Sequence, residues 1–117
     1  MIFSINDHID LIKRGIKTQT RRPTDRYSTF KSYAIQPGRG KKGIPEGRIL
    51  ILKKWRESYF PEYGLISERD AKAEGGYSPD LFKNLYESMY QNWLDRWAYL
   101  FQFIPSQDSQ QLRKETQ

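Results

Sequence analysis

The chain of 117 residues is 37% hydrophobic and 15% aromatic, which suits one small packed domain and is too rich in rings for long disorder. It has no Cys and one His, so disulfides, thiolate nucleophiles, Cys-based zinc sites and any site built on two imidazoles are excluded. The net charge of +6 is uneven: residues 1–60 hold 14 Lys/Arg against 5 Asp/Glu and residues 61–117 hold 6 against 9, which points either to a polyanionic partner, RNA or DNA, or to a solvated basic face.

Met1-Ile2-Phe3 reads as a short strand. Ser4 then offers a helix N-cap, with Asp7 three residues on, and Ile5, Ile9 and Ile12 mark one helical face. Gly15 suits the left-handed position past the end, after Lys13 and Arg14, so a helix is expected over 4–14. His8 shares the apolar face and reads as a packed histidine rather than a ligand or base. A strand follows over 17–22 and ends at Pro23. Residues 24–32 read as an irregular loop, and Tyr33 to Gln36 as a short strand. Pro37 to Gly43 is a turn-rich basic loop. It lacks the G-x-x-x-x-G-K-[ST] spacing, which excludes nucleotide triphosphate hydrolysis of that type.

Gly47 to Trp55 is the clearest strand. Ser67-Glu68-Arg69-Asp70 is a capping box that opens a helix over 67–74, ended by Gly75-Gly76. Ser78-Pro79-Asp80 opens another over 78–91, with Phe82, Leu85, Tyr86 and Met89 on one stripe. Arg96 to Ile104 reads as the last strand, its Trp97, Tyr99, Phe101 and Phe103 row expected in the core. Pro105 stops it. The domain is therefore expected over 1–105, with a polar, flexible tail over 106–117. The longest aliphatic run is Ile49 to Leu52, far short of a membrane span, and the N-terminus has no signal-peptide pattern. The expected compartment is cytoplasmic, with no membrane partner. Helices and short strands in this order make an α+β or small β-barrel domain.

Leu11 to Pro23, read LIKRGIKTQTRRP, resembles the opening signature of the ASCH domain family, named for the activating signal cointegrator homology. Gln36 to Lys41 resembles the family's second block, and Ser67 to Gly76 with Ser78 to Phe82 its third. The aromatic strand after Trp97 fits its close. The resemblance covers residues 1–104 in order. It implies a PUA-like fold, a small β-barrel with flanking helices and a cleft between them. It also implies an association with RNA. Some small bacterial members are N(4)-acetylcytidine amidohydrolases, which remove acyl groups from the exocyclic amine of cytidine, and a ribonuclease activity is attributed to another member. The amidohydrolases use a Lys and a Thr three residues apart in the first block and a Glu in the third. Those positions are Lys17, Thr20 and Glu74 here. Two departures bear on the acyl pocket: the loop over 23–32 is long beside the smallest members, and Gly75-Gly76 replaces a bulkier pair.

Amide hydrolysis needs a nucleophile, a base, an acid for the leaving amine and a stabiliser for the oxyanion. Two arrangements of the implied set meet this. In one, neutral Lys17 is the base and Thr20 the nucleophile, which requires burial to lower the Lys17 pKa against the pull of Glu74. In the other, Glu74 activates water, Thr20 positions it, and cationic Lys17 stabilises the oxyanion. The second needs no large shift and is physically the simpler. In a regular strand Lys17 and Thr20 would point to opposite faces, so convergence requires Lys17 in the turn after Gly15 or a bulge in the strand. An acid at position 74 is misplaced by ~0.3–1 kcal/mol near a helix C-terminus, which hints at another role. Arg21, Arg22, Arg39, Lys41 and Lys42 are candidates for RNA or substrate phosphate contacts, with Tyr33 or Trp55 as stacking surfaces. No D-x-D-x-D cluster accompanies the single His, so neither a metal nor another cofactor is expected. The expected partner is a modified cytidine nucleoside or RNA. The function expected is the amidohydrolase, with a non-catalytic RNA-binding module, or a ribonuclease, as the alternatives.

Overall fold

The computed structural model describes residues 1–58, 66–90, 93 and 95–106. Its elements in chain order are α1 (His8–Lys13), β1 (Gln19–Arg22), β2 (Ser32–Ala34), β3 (Gly47–Ser58), α2 (Glu68–Gly75), α3 (Pro79–Met89) and β4 (Asp95–Pro105). The tail expected from 106 lies, beyond Ser106, outside the described residues. The four strands form one antiparallel sheet in the order β1-β4-β3-β2. The fold is a small α+β one.

The sheet is open. No ladder joins β1 to β2 among the described residues, so the sheet of the expected small β-barrel does not close there. Both edge strands are short, four and three residues, and their gap is spanned by the N-terminal segment. On the β2 side Phe3 N–H donates to Gln36 O at 2.8 Å and Gln36 N–H donates to Met1 O at 2.9 Å. On the β1 side Arg22 Nη2 donates to Ile2 O at 2.6 Å. Backbone pairing on one flank and a guanidinium on the other satisfy polar groups that an open edge leaves exposed.

This pinning explains why α1 starts at His8 and not at Ser4. Residues 1–3 are extended against Gln36, and Asp7 takes a left-handed conformation (φ 75°) without a side-chain cap. The other two helices begin as their caps dictate. Ser67 Oγ accepts from Asp70 N–H at 3.1 Å, and Ser78 Oγ from Leu81 N–H at 3.3 Å, with Pro79 at the first helical position.

The aromatic row of β4 supplies the core as expected. Tyr99 and Phe101 pack with Ile49 and Ile51 of β3, Ile12 of α1, Ile35, Met1 and Phe3. A second cluster joins Ile66, Ala71, Phe82, Tyr86 and Trp93 beneath α2 and α3. Between Ile51 and Lys53 the β3–β4 register shifts by one residue at Leu52. Ile51 faces Phe101 on the core side, whereas Lys53, Trp55 and Glu57 oppose Leu100, Ala98 and Arg96 on the other side. Strict alternation from Ile51 would have put Glu57 in the apolar core; the bulge turns it to the face that β1 shares through Arg21, which opposes Ala98.

Candidate active site

The chain leaving α1 turns at Gly15 (φ 75°), and Lys17 N–H donates to Leu11 O at 3.1 Å. Thr18 N–H then donates to Ala73 O of α2 at 2.8 Å, and Thr18 O accepts from Phe101 N–H at 2.9 Å. Lys17 is therefore held in the turn before β1, which starts at Gln19, and the opposite-face problem of a regular strand does not arise. Its side chain runs to the end of α2 and is 2% exposed. Lys17 Nζ donates to Glu74 Oε2 at 3.0 Å, to Glu74 O at 2.6 Å and to Gln19 O at 2.9 Å. Three acceptors match the three N–H bonds of an ammonium, whereas a neutral amine would turn its lone pair toward one of them. Burial pulls the Lys17 pKa below its ordinary 10.5, Glu74 opposes the shift, and Arg22 and Arg21 add to it.

Glu74, also 2% exposed, is the misplaced acid near the end of α2. Its second oxygen, Oε1, accepts from Arg21 Nη1 at 2.8 Å. Each carboxylate oxygen has two lone-pair sites, so among the described residues one on each stays open beside these bonds. Two residues that follow fix the end of the helix. Gly75 has φ 151° and Gly76 has φ 85°, and a Cβ on Gly75 would lie 3.0 Å from Tyr77 Cε2 and 3.5 Å from His8 Nε2. The glycine pair thus meets a backbone requirement directly after Glu74.

Lys17, Thr20 and Glu74 line one cleft of about 330 Å³, within the usual range for small-molecule sites. Its polar side also holds His8, Arg21, Arg22 and Arg39. The apolar side comes from Ile2, Phe3 and Ile5 and from Phe82, Leu85, Tyr86, Met89 and Tyr90 on and beside α3. The Phe82-Leu85-Tyr86-Met89 stripe reads as packing in the sequence. In the structure Phe82 and Tyr86 are core residues, while Met89 is 45% exposed, so the stripe also walls the cleft. No periodicity separates those two uses.

Thr20 faces the cleft from β1, opposite Tyr99, and its Oγ1 accepts from Arg22 Nε at 3.3 Å. His8 is buried, as a packed histidine should be, and its Nε2 lies 2.6 Å from Tyr77 Oη. Burial, with Lys17 next, pulls its pKa down to about 4. It is neutral at physiological pH.

The basic candidates separate. Arg21 is 3% exposed and its donors are taken: Nε and Nη2 bind Glu57 at 2.8 and 3.0 Å, Nη1 binds Glu74 and Gln19 Oε1, and Nη2 also lies 3.6 Å from Asp70. It orients Glu74, and a phosphate would have to displace a carboxylate from it. Glu57 also accepts from Arg96 Nε at 2.8 Å and from Trp55 Nε1 at 2.9 Å. This buried network is invisible to sequence reading because the ion pairs that Arg21 and Arg96 make in it join residues 36 to 53 positions apart. Arg22 and Arg39 line the cleft, whereas the exposed Lys41 and Lys42 do not. Tyr33 sits on β2, packed edge-on against Tyr27, with its Oη accepting from Ser28 N–H at 2.8 Å, and is not part of the cleft. Trp55 is half-buried beneath the Arg21 guanidinium.

No family model matches the chain, and neither does any curated protein. Among solved structures it is similar to the crystal structure of protein EF3133 from Enterococcus faecalis V583, described with the family model DUF984, at a TM-score of 0.59 and 16% identity. The match covers 82% of this chain and 66% of that one, so the chain spans just under two thirds of its neighbour's length. At that identity the likeness is one of fold.

Proposed function

We propose that this chain is an amidohydrolase that removes an acyl group from the exocyclic amine of a cytidine or cytosine derivative, giving cytidine and a carboxylate, on a PUA-like, ASCH-type scaffold. The observation that carries the reading is the buried Lys17–Glu74 ion pair in the cleft that Thr20 also lines. The resemblance of the first and third sequence blocks to the amidohydrolases supports it from a separate direction.

The geometry favours water as the nucleophile. An open lone pair of Glu74 takes the proton as the water oxygen bonds to the acyl carbon. The Thr20 hydroxyl orients that water. As the carbonyl pair moves onto oxygen, the Lys17 ammonium exchanges one of its backbone acceptors for the oxyanion. Collapse breaks the C–N bond, and the proton held by Glu74 passes to the departing amine. Arg21 keeps the Glu74 carboxylate in place throughout.

The test is incubation with N(4)-acetylcytidine, followed by ultraviolet absorbance. Turnover is expected from the wild type, and Thr20→Ala and Glu74→Gln should each lower it by ~10²–10⁴ per folded protein, the second also costing stability because it takes the carboxylate from buried Lys17. A wild-type rate in Glu74→Gln overturns the reading. The exposed Arg39, Lys41 and Lys42 loop favours a second reading, an RNA-binding module without chemistry. RNA binding that weakens with salt, with no turnover of any acylated cytidine, would select it.

A further inference from the structure

We infer that the cleft recognises a phosphorylated cytidine, with Arg22 and Arg39 forming a phosphate subsite beside the acyl-cleaving centre. This rests on the reading of the cleft as a cytidine site and extends it to the class of substrate.

Electroneutrality is the starting point. Four cationic side chains line the cleft, Lys17, Arg21, Arg22 and Arg39, against a single carboxylate, Glu74. Lys17 and Arg21 are both committed to Glu74, and Arg21 to Glu57 as well. Arg22 and Arg39 have no ion-pair partner among the described residues. Arg22 is half-buried, its Cζ 5.0 Å from the Phe3 ring centroid, and among the described residues only two of its five N–H bonds are used, on Ile2 O and Thr20 Oγ1. A guanidinium in that state is held in place and still has three donors to offer an anion.

Arg39 arrives from elsewhere in the chain. The parallel bridge between Ile2 and Gln36 sets the loop after Gln36 beside the N-terminal segment, and Gln36 Nε2 donates to Lys41 O at 3.0 Å within that loop. The bridge thereby brings an exposed guanidinium to the cleft that Arg22 enters from β1. The field is felt by neighbouring groups: Arg22 adds to the downward shift of both His8 and Lys17. An uncharged nucleoside would leave this excess uncompensated, whereas one phosphate supplies the missing charge.

Equilibrium binding and turnover test this together. Cytidine and cytidine 5′-monophosphate are compared for binding to the full chain. N(4)-acetylcytidine, its 5′-monophosphate and a short single-stranded RNA carrying one N(4)-acetylcytidine are compared for turnover. The phosphate is expected to tighten binding and raise kcat/KM by ~10-fold or more, the worth of a charge-assisted hydrogen bond, mainly through KM. In Arg39→Gln the ratio of phosphorylated to unphosphorylated substrate should fall toward one, and salt should have the same effect on the wild type. A mononucleotide that matches the RNA identifies a free nucleotide as the source of the phosphate; an RNA that exceeds it identifies a polynucleotide. Arg39→Gln is at the rim and removes no buried contact, so folding does not confound it.

The outcomes are separable. Turnover of the nucleoside with no phosphate preference overturns the subsite and leaves the amidohydrolase standing. Tighter binding of cytidine 5′-monophosphate, lost in Arg39→Gln, upholds the subsite even if no amide is cleaved. Equal binding of nucleoside and nucleotide, with a ratio unchanged in Arg39→Gln, overturns it.

Discussion

Lys17 carries the strongest constraint on the chemistry. Its three acceptors define an ammonium, and burial nevertheless lowers its pKa below 10.5. The kcat/KM profile is therefore expected to be flat through neutral pH and to fall on the alkaline side, before the ordinary lysine range, as the cation is lost. A rate that rises only in alkali would instead make neutral Lys17 the base. His8 yields a separate prediction, on stability. Its folded pKa of about 4 lies below the ordinary 6.5, so the unfolded chain takes up the proton first as pH falls. The stabilisation is complete above pH 6.5 and is lost as pH falls toward 4. Urea denaturation at pH 7 and pH 5 should show the drop. His8→Gln, which keeps a polar partner for Tyr77, should flatten it over that interval, and an unchanged slope would remove His8 as its cause.

Among the elements, α2 matters through its last turn. The capping box at Ser67 fixes where the helix begins, and the glycine pair fixes where it ends, so Glu74 meets Lys17 at one point along the axis. Gly76→Ala introduces a Cβ at φ 85° with nothing within 4 Å and should cost about 1 kcal/mol in thermal or urea unfolding. Gly75→Ala adds a clash with Tyr77 at 3.0 Å to its strained φ and should cost more. It should also lower turnover of the proposed acylated-cytidine substrate beyond the loss of folded protein, because the shift is transmitted to the adjacent Glu74. Equal effects of the two substitutions on turnover would contradict this account. The bulge at Leu52 acts similarly for β3: one extra residue sends Glu57 to Arg21 and away from the apolar core.

For the whole molecule, the buried charges tie the site to the fold. Arg21 joins Glu74 at the cleft to Glu57 of β3, and Glu57 binds Arg96 of β4. Removing Arg21 leaves Glu57 with Arg96 and Glu74 with Lys17, but takes from each buried carboxylate one counter-charge and the hydrogen bonds that came with it. Arg21→Met is therefore expected to destabilise by about 1–3 kcal/mol, read from the urea midpoint. The double substitution Arg21→Met, Glu57→Leu should recover only part of that, because it also takes the Glu57 carboxylate from Arg96. Additive losses in the pair would show that Arg21 and Glu57 do not couple.

Local chemistry was legible in the chain itself. Ser67 and Ser78 cap the helices they were expected to cap, Gly15 turns where a left-handed residue was needed, and the Trp97 to Phe103 row lies toward the core, because each depends on neighbours within a few residues. Family resemblance, and not periodicity, singled out Lys17, Thr20 and Glu74, and the turn at Gly15 met the one geometric condition for their meeting. What lay beyond the sequence depended on long-range placement. The sheet is open among the described residues, with residues 1–3 spanning its edges; α1 starts four residues late because Asp7 must turn the chain out of that bridge. Arg21 is an internal brace and Tyr33 a packing residue, although both carry groups that suit a nucleic acid. Whether a charged or aromatic side chain meets a ligand or another side chain is decided by which distant residues the tertiary structure sets within about 3 Å of it, and spacing along the chain does not encode that distance.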